Sequence, residues 1–120
     1  MSVKSVCDKI ETYWSSIKIE VEKAPQGYYI YVTDNCKLYI YPEKAGATFM
    51  VIPTTKKYKL SKMSVQTQLG VMEINPDRKL SNPALLFGLS EDNLTKEIID
   101  TVAGFMTLNV DQIFDQCQGL

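Results

Sequence analysis

The sequence predicts an α+β fold with an N-terminal helix, an antiparallel meander of five or six strands, and two or three C-terminal helices packed on one sheet face. Three observations support this fold class. Apolar residues recur every three or four positions at the start of the chain. They alternate with polar residues through the middle, and the helical spacing returns in the last third. Helices on either side of a run of short strands are typical of a sheet covered by helices.

The first predicted element is an amphipathic helix over Val3–Ile17. Ser2 precedes it and is the expected N-cap. Trp14, the single tryptophan of the chain, lies on the apolar stripe and is predicted to be a core residue. Ile19 and Val21 alternate with charged residues, which predicts a strand with one solvated face. The apolar stripe of the helix consists of Val3, Val6, Cys7, Ile10, Tyr13, Trp14 and Ile17.

The segment Gly27–Pro42 is predicted to be a β-hairpin, and it contains five of the seven tyrosines. A two-residue loop at Asp34 and Asn35 would mix phenolic and aliphatic side chains on both faces, because strand residues alternate between faces. A loop of three or five residues, Asp34–Cys36 or Thr33–Lys37, would separate them. It would place Ile30, Val32, Leu38 and Ile40 on one face and Tyr29, Tyr31, Tyr39 and Tyr41 on the other. We therefore predict a loop of odd length.

We interpret this tyrosine face as the candidate partner-binding surface. Tyrosine offers a large contact area, few rotamers to restrict and a hydroxyl that remains hydrated. Ordinary cross-strand packing of the rings is the alternative explanation. The candidate partner-binding residues are Tyr29, Tyr31, Tyr39, Tyr41 and, near the tip of the hairpin, Lys37.

Further strands are predicted at Thr48–Ile52, Tyr58–Met63 and Val65–Ile74. In the last of these the alternation slips after Gly70, and a β-bulge at this glycine would explain the slip. The residue order of Asn75–Arg78, with Asn first and Pro second, predicts a type I turn. The middle of the chain is therefore expected to be a meander.

The last third is predicted to be helical. Asn82 and the proline after it predict the start of a short helix over Ala84–Phe87. Ser90 is then the expected cap of a longer helix with acidic residues in its first turn. Asn109 is expected to end this helix and to cap a final short one. Two or three C-terminal helices result.

Length and composition limit the class of protein. At 120 residues with 45% hydrophobic and 22% charged content, residues 1–120 are expected to form a single soluble α+β domain. The formal net charge of −1 creates no general attraction for nucleic acid or membrane. Three scattered cysteines favour a reducing setting, and we predict a cytoplasmic location. No signal peptide or membrane-spanning run is recognised, so no membrane partner is expected.

The chain contains no histidine, which argues against acid–base catalysis at neutral pH and against thiol catalysis. Zinc binding through cysteine and histidine is not expected either. We predict a protein that is not an enzyme and carries neither cofactor nor metal. Glu73 is an acid within an apolar strand and is a minor candidate for a functional role.

One basic cluster is a candidate phosphate-binding patch. Lysines can neutralise phosphates, and a neighbouring ring can stack on a base. The competing interpretation is that lysines on a strand edge discourage aggregation. The cluster consists of Lys56, Lys57, Tyr58, Lys59 and Lys62.

The leading hypothesis is a non-enzymatic intracellular binding module with a regulatory role: an adaptor, inhibitor or chaperone-like protein. It would hold a protein partner, or a second copy of itself as a homo-oligomer, through the tyrosine face or a sheet edge. The alternative is a nucleotide or nucleic-acid binding or sequestering protein, in which tyrosines stack on bases and Lys56–Lys62 contacts phosphates. An enzyme ranks third.

Overall fold

The computed structural model describes residues 3–16, 22–23, 29–67, 70–77 and 79–118. These residues form two α-helices, seven β-strands and one short 3-10 helix at Glu91–Asn93. The helices are α1 (Val3–Ser16) and α2 (Lys96–Gln118). The strands are β1 (Glu22–Lys23), β2 (Tyr29–Val32), β3 (Cys36–Glu43), β4 (Gly46–Pro53), β5 (Met63–Thr67), β6 (Gly70–Asn75) and β7 (Ala84–Ser90).

All seven strands belong to one antiparallel sheet with the order β1-β2-β3-β4-β7-β6-β5. The predicted α+β class and element order are confirmed. The sheet has seven strands where five or six were predicted. It is also not a simple meander, because β7 lies between β4 and β6.

Both helices pack on the sheet at β3 and β4. Alternate residues of these strands, such as Leu38, Ile40 and Phe49, are buried together with Val6 and Ile10 of α1. We call this side of the sheet the inner face and the opposite side the outer face. The part of α2 in the same core consists of Val102, Phe105, Val110, Ile113, Phe114 and Cys117.

The predicted first helix is confirmed, with Val3–Ser16 in place of Val3–Ile17. Val6 and Ile10 of its apolar stripe are fully buried, and Cys7 and Tyr13 are partly buried, whereas Val3 at the first turn is 42% exposed. Ser2, the side chain of Trp14 and the predicted strand at Ile19 and Val21 lie outside the described residues.

The predicted register of the Tyr-rich hairpin is wrong. Tyr29 pairs with Ile40 and Tyr31 with Leu38, which is the parity of the two-residue turn. The turn residue Thr33 accounts for this register. Its backbone N–H donates to Cys36 O (2.9 Å), and its hydroxyl accepts from the backbone N–H of Cys36 (2.9 Å) and of Asn35 (3.1 Å). These bonds close an even loop, as hydroxyl-bearing turn residues often do.

The predicted strand at Tyr58–Met63 is also wrong, since the chain is irregular until β5 begins at Met63. The slip in alternation after Gly70 marks a hairpin between β5 and β6 in place of a bulge, with Thr67 paired to Gly70. Gly70 has φ +109°, a conformation that favours glycine. The structure next describes a turn in which Leu80 N donates to Asp77 O (3.0 Å), whereas Arg78 of the predicted Asn75–Arg78 turn lies outside the described residues.

The short helix predicted over Ala84–Phe87 is strand β7. Ala84, Leu85 and Phe87 are buried, and a short continuous apolar run fits a central strand as well as a buried helix. Phe87 stacks on Phe49 of β4 with ring centroids 4.9 Å apart. Pairing with two neighbouring strands therefore decided the conformation of this segment.

The C-terminal region forms one long helix in place of two or three. Ser90 precedes only the 3-10 turn and makes no side-chain cap bond. The cap of α2 is Thr95, whose hydroxyl accepts from Ile98 N (3.3 Å). Asn109, the predicted end of a helix, lies within α2.

Candidate functional site

The structure divides the predicted tyrosine face between the two sides of the sheet. Tyr29 is 2% exposed on the inner face, beneath α1, and its hydroxyl donates to Glu11 Oε1 (2.9 Å). Burial, and then hydrogen bonds to Cys7 and Glu11, raise the pKa of this phenol. Tyr29 is a core residue, and the prediction of a common outward face is wrong. The physical reason is the even loop described above, since one residue of loop length exchanges the two sides.

Three of the five predicted partner-binding residues do lie on the outer face. Lys37, Tyr39 and Tyr41 alternate with the buried residues of β3; Lys37 is exposed and the two tyrosines are half-buried. The side chain of Tyr31 lies outside the described residues. The partner-binding role of Lys37, Tyr39 and Tyr41 therefore stays a prediction, with a smaller set of residues.

A row of half-buried side chains crosses the outer face. Ile30 of β2 pairs with Tyr39, Tyr39 with Met50 of β4, and Met50 with Leu86 of β7. We call these four residues the outer row. They span four adjacent strands, or about 14 Å at the usual strand spacing. Beyond Leu86 the row continues to Glu73, which is exposed and not enclosed by apolar neighbours as its sequence context suggested.

The predicted phosphate-binding cluster is also divided. Tyr58 is 4% exposed; its hydroxyl donates to Asp111 Oδ1 (2.9 Å) and its ring packs on Phe114 at 5.1 Å. Burial and the bond to Asp111 raise the pKa of this phenol. A ring held in this way is not available to stack on a base, so that part of the prediction is wrong.

The four lysines of the cluster do not lie on one common surface. Lys56 forms an ion pair with Asp115 of α2, and its ammonium lies 5.4 Å from the centre of the Tyr58 ring. Lys59 lines a small depression beside Met63, and Lys62 is exposed. Lys57 lines a different and larger cleft, and the ion-paired Lys56 is part of the same lining. The cluster is therefore not one patch.

The larger cleft, of about 530 Å³, lies at the end of the outer face. It brings together residues that are distant in sequence: Lys37 and Tyr39 of β3, Lys56 and Lys57 from the loop after β4, and Lys79 from the loop before β7. Among the described residues that line it, none is acidic. We call it the basic cleft. Sequence reasoning missed Lys79, because an isolated lysine after a turn carries no pattern.

A buried asparagine joins the two loops that form the walls of the basic cleft. Asn82 is 5% exposed; its Oδ1 accepts from Tyr58 N (2.7 Å) and its Nδ2 donates to Pro53 O (2.7 Å) and Lys56 O (2.9 Å). Both the oxygen and the nitrogen of the side-chain amide are thus hydrogen-bonded, and these bonds fix the two loops to each other. An asparagine just before a buried apolar run was the available signal, and it was interpreted as a helix cap.

Two of the three cysteine thiols, those of Cys36 and Cys117, belong to the hydrophobic core. None of the three cysteines forms a disulfide in the described part of the chain, and Cys36 and Cys117 are buried, which raises the pKa of both thiols. Within the described ranges, no three carboxylate or thiol side chains are grouped closely enough to hold a metal ion.

Neither described helix combines the length and the apolar character needed to cross a membrane. Comparisons of the chain with protein-family models, with curated proteins and with solved structures found no significant match.

Proposed function

We propose that the protein is a non-enzymatic binding module whose outer row holds another protein. The observation that supports this most is the row itself: an aliphatic residue, a tyrosine, a methionine and a leucine, side by side and half-buried, on the face opposite both described helices. Surfaces of this kind often serve as interaction sites. An adaptor, inhibitor or chaperone-like protein would use such a surface.

The shape of the outer row favours a protein over a small ligand. Small molecules bind in concave sites, whereas this row runs across a sheet for about 14 Å. Tyr39 and Met50 at its centre belong to residue types enriched in protein interfaces. Lys37, exposed beside the row, favours a partner with an acidic residue at the margin.

The absence of enzymatic activity is part of the proposal. The chain contains no histidine, and burial raises the pKa of Cys36 and Cys117, so these thiols are weak nucleophiles. We further propose a cytoplasmic location, because three cysteines that form no disulfide among the described residues fit a reducing compartment.

The experiment compares two pairs of substitutions on the same face. Tyr39→Ser/Met50→Ser removes the centre of the outer row, whereas Gln66→Ser/Val71→Ser changes two exposed residues of β5 and β6 outside the row. Each variant is used to capture proteins from the native host after chemical crosslinking, and light scattering gives its molar mass. Denaturant unfolding checks that each variant is folded.

We expect a captured protein that is lost with Tyr39→Ser/Met50→Ser and retained with the control pair. Equal capture by both variants, or equal loss, would contradict the proposal. A dimer that only the row variant dissociates would instead identify a second copy of this chain as the occupant, and would replace the separate partner by a homo-oligomer.

A second candidate function is nucleotide or nucleic-acid binding, and one observation favours it in modified form. Tyr58 is buried and Lys56 is ion-paired, so the segment Lys56–Lys62 does not offer the predicted combination of ring and phosphate contacts. Lys57, however, shares the basic cleft with Tyr39 and three further lysines, one of which is the ion-paired Lys56. A thermal-shift series with nucleotides tests this function, because a ligand that binds the folded state raises the melting temperature.

A further inference from the structure

We infer that the basic cleft is a binding site for the phosphate group of a small molecule. The cleft shares Tyr39 with the outer row, but the inference does not require the protein-binding role proposed for that row.

The charge of the cleft is the first argument. Lys37, Lys57 and Lys79 come from three separate segments and are exposed. Lys56, the fourth lysine of the lining, is ion-paired with Asp115, and no acidic residue of the described chain lines the same space. Within the described residues the one ion pair is that of Lys56 with Asp115, so these three ammonium groups have no carboxylate partner there. A cleft lined by one sign of charge concentrates counter-ions, and phosphate is a strong acceptor for ammonium donors.

The second argument is that the cleft is already formed. The three hydrogen bonds of Asn82 connect the loop that carries Lys57 to the loop that carries Lys79. Thr54 N donates to Asn35 O (2.9 Å), which ties the first of these loops to the β2–β3 turn. Binding therefore requires little ordering of the backbone, and sites built on fixed elements bind more tightly for that reason.

The third argument concerns size and lining. A volume of about 530 Å³ lies within the usual range of small-molecule sites, roughly 300–1,000 Å³. Ile52, Pro53 and Leu80 supply apolar wall, and Tyr39 supplies an aromatic one. The cleft thus has room for an apolar or planar group attached to the phosphate. A phosphorylated small molecule, such as a nucleoside diphosphate, fits this combination.

The chain offers a matched control. Lys59 and Lys62 are exposed like Lys57 and Lys79, but they are absent from the cleft lining. Lys57→Gln/Lys79→Gln and Lys59→Gln/Lys62→Gln therefore remove the same charge from different places. If anions were attracted to any exposed lysine, both pairs of substitutions would weaken binding equally. A specific site in the cleft would be weakened by Lys57→Gln/Lys79→Gln and not by the control pair.

The first test titrates each protein with sodium pyrophosphate at constant ionic strength. Calorimetry measures the affinity, and amide chemical shifts in NMR locate the site. We expect shifts at the residues of the cleft walls, such as Thr54, Thr55 and Ser81. Each removed lysine of the cleft is expected to weaken binding roughly fivefold or more, and the control pair is expected to leave affinity within about twofold.

Equal weakening by both pairs, shifts spread over all exposed lysines, or no shift in the cleft would overturn the inference. The amide spectra of the variants also show whether they are folded, so a loss of binding through unfolding is recognised directly.

A second arm identifies what the phosphate is attached to. ADP is compared with pyrophosphate on the unsubstituted protein and on Tyr39→Leu. Tighter binding of ADP that Tyr39→Leu removes would support a nucleoside diphosphate. Equal affinities would support the phosphate site with a ligand other than a nucleotide. Weaker binding of both ligands by Lys59→Gln/Lys62→Gln than by the cleft pair would overturn the inference.

Discussion

The two faces of the sheet carry tyrosines of the same hairpin in different surroundings. On the inner face Tyr29 is 2% exposed and bonded to Glu11 of α1. On the outer face Tyr39 is half-buried and lies between Ile30 and Met50. The residue type is the same, and the side is set by the length of the turn between them. Tyrosine content therefore indicates neither a core nor a binding surface until the register is known.

The largest expected effect tests this comparison directly. Tyr29→Ala is expected to destabilise the fold by about 3–5 kcal/mol, because it removes a buried ring and leaves a cavity under α1. Tyr39→Ala is expected to cost about 1 kcal/mol, as for an ordinary half-exposed site. Urea unfolding measures both free energies. Similar losses for the two variants would show that the faces do not differ as described.

The next effect concerns Asn82, the residue that joins the two loops forming the walls of the basic cleft. Asn82→Ala is expected to cost about 2–3 kcal/mol, because it leaves Tyr58 N and two carbonyl oxygens without their partner. Asn93→Ala, at an exposed asparagine of the 3-10 helix, is the control and should change stability by less than about 0.5 kcal/mol. A small effect at Asn82 would mean that water replaces its bonds and that the cleft walls are not fixed.

One substitution made on both faces sharpens the comparison further. Val51→Thr places a hydroxyl in the core, where Val51 has no exposure, and is expected to cost about 1–3 kcal/mol. Val71 is 65% exposed on the outer face, and Val71→Thr should stay within about 0.5 kcal/mol. Thermal or urea unfolding of the two variants gives the difference. Equal losses of stability would mean that Val71 is buried on the outer face, contrary to the structure.

The last effect appears at alkaline pH. Burial raises the pKa of Tyr29 and Tyr58 above the ordinary 10.0, so the folded state keeps both protons while the unfolded chain begins to lose them. The stabilisation is complete below pH 10 and falls as the pH rises further, by at most about 1.4 kcal/mol per pH unit and tyrosine. Tyr29→Phe and Tyr58→Phe should each reduce that slope in urea titrations between pH 9 and about 12. An unchanged slope would contradict the buried, neutral state of that phenol.

Much of the fold could be predicted, and its exceptions have local causes. Helical spacing in residues 3–16 and the apolar run of β4 gave the correct elements, because burial of one stripe or strand determines them. The register of the Tyr-rich hairpin depended on hydrogen bonds of Thr33, which no apolar pattern contains. The strand β7 is predicted as a helix because its pairing with β4, from which β5 and β6 separate it along the chain, leaves no trace in a short apolar run.

The candidate site was predictable only in part, for the same reason. Lys37, Tyr39 and Lys57 were identified from the sequence, but as members of two separate surfaces. Lys79 and Asn82 were missed as site residues because their role comes from the meeting of loops. Composition predicts which residue types can bind a partner or phosphate, whereas the sheet order decides which of them meet.

The central position of the last strand has a consequence for synthesis on the ribosome. β4 completes its pairing only when Ala84–Ser90 inserts between it and β6. A nascent chain that has emerged only as far as β6 therefore exposes an unpaired edge next to Phe49 and Val51. Open apolar strand edges pair with other chains and so promote aggregation. The nascent protein is therefore most exposed to aggregation while the last third of the chain, which contains β7, is being translated.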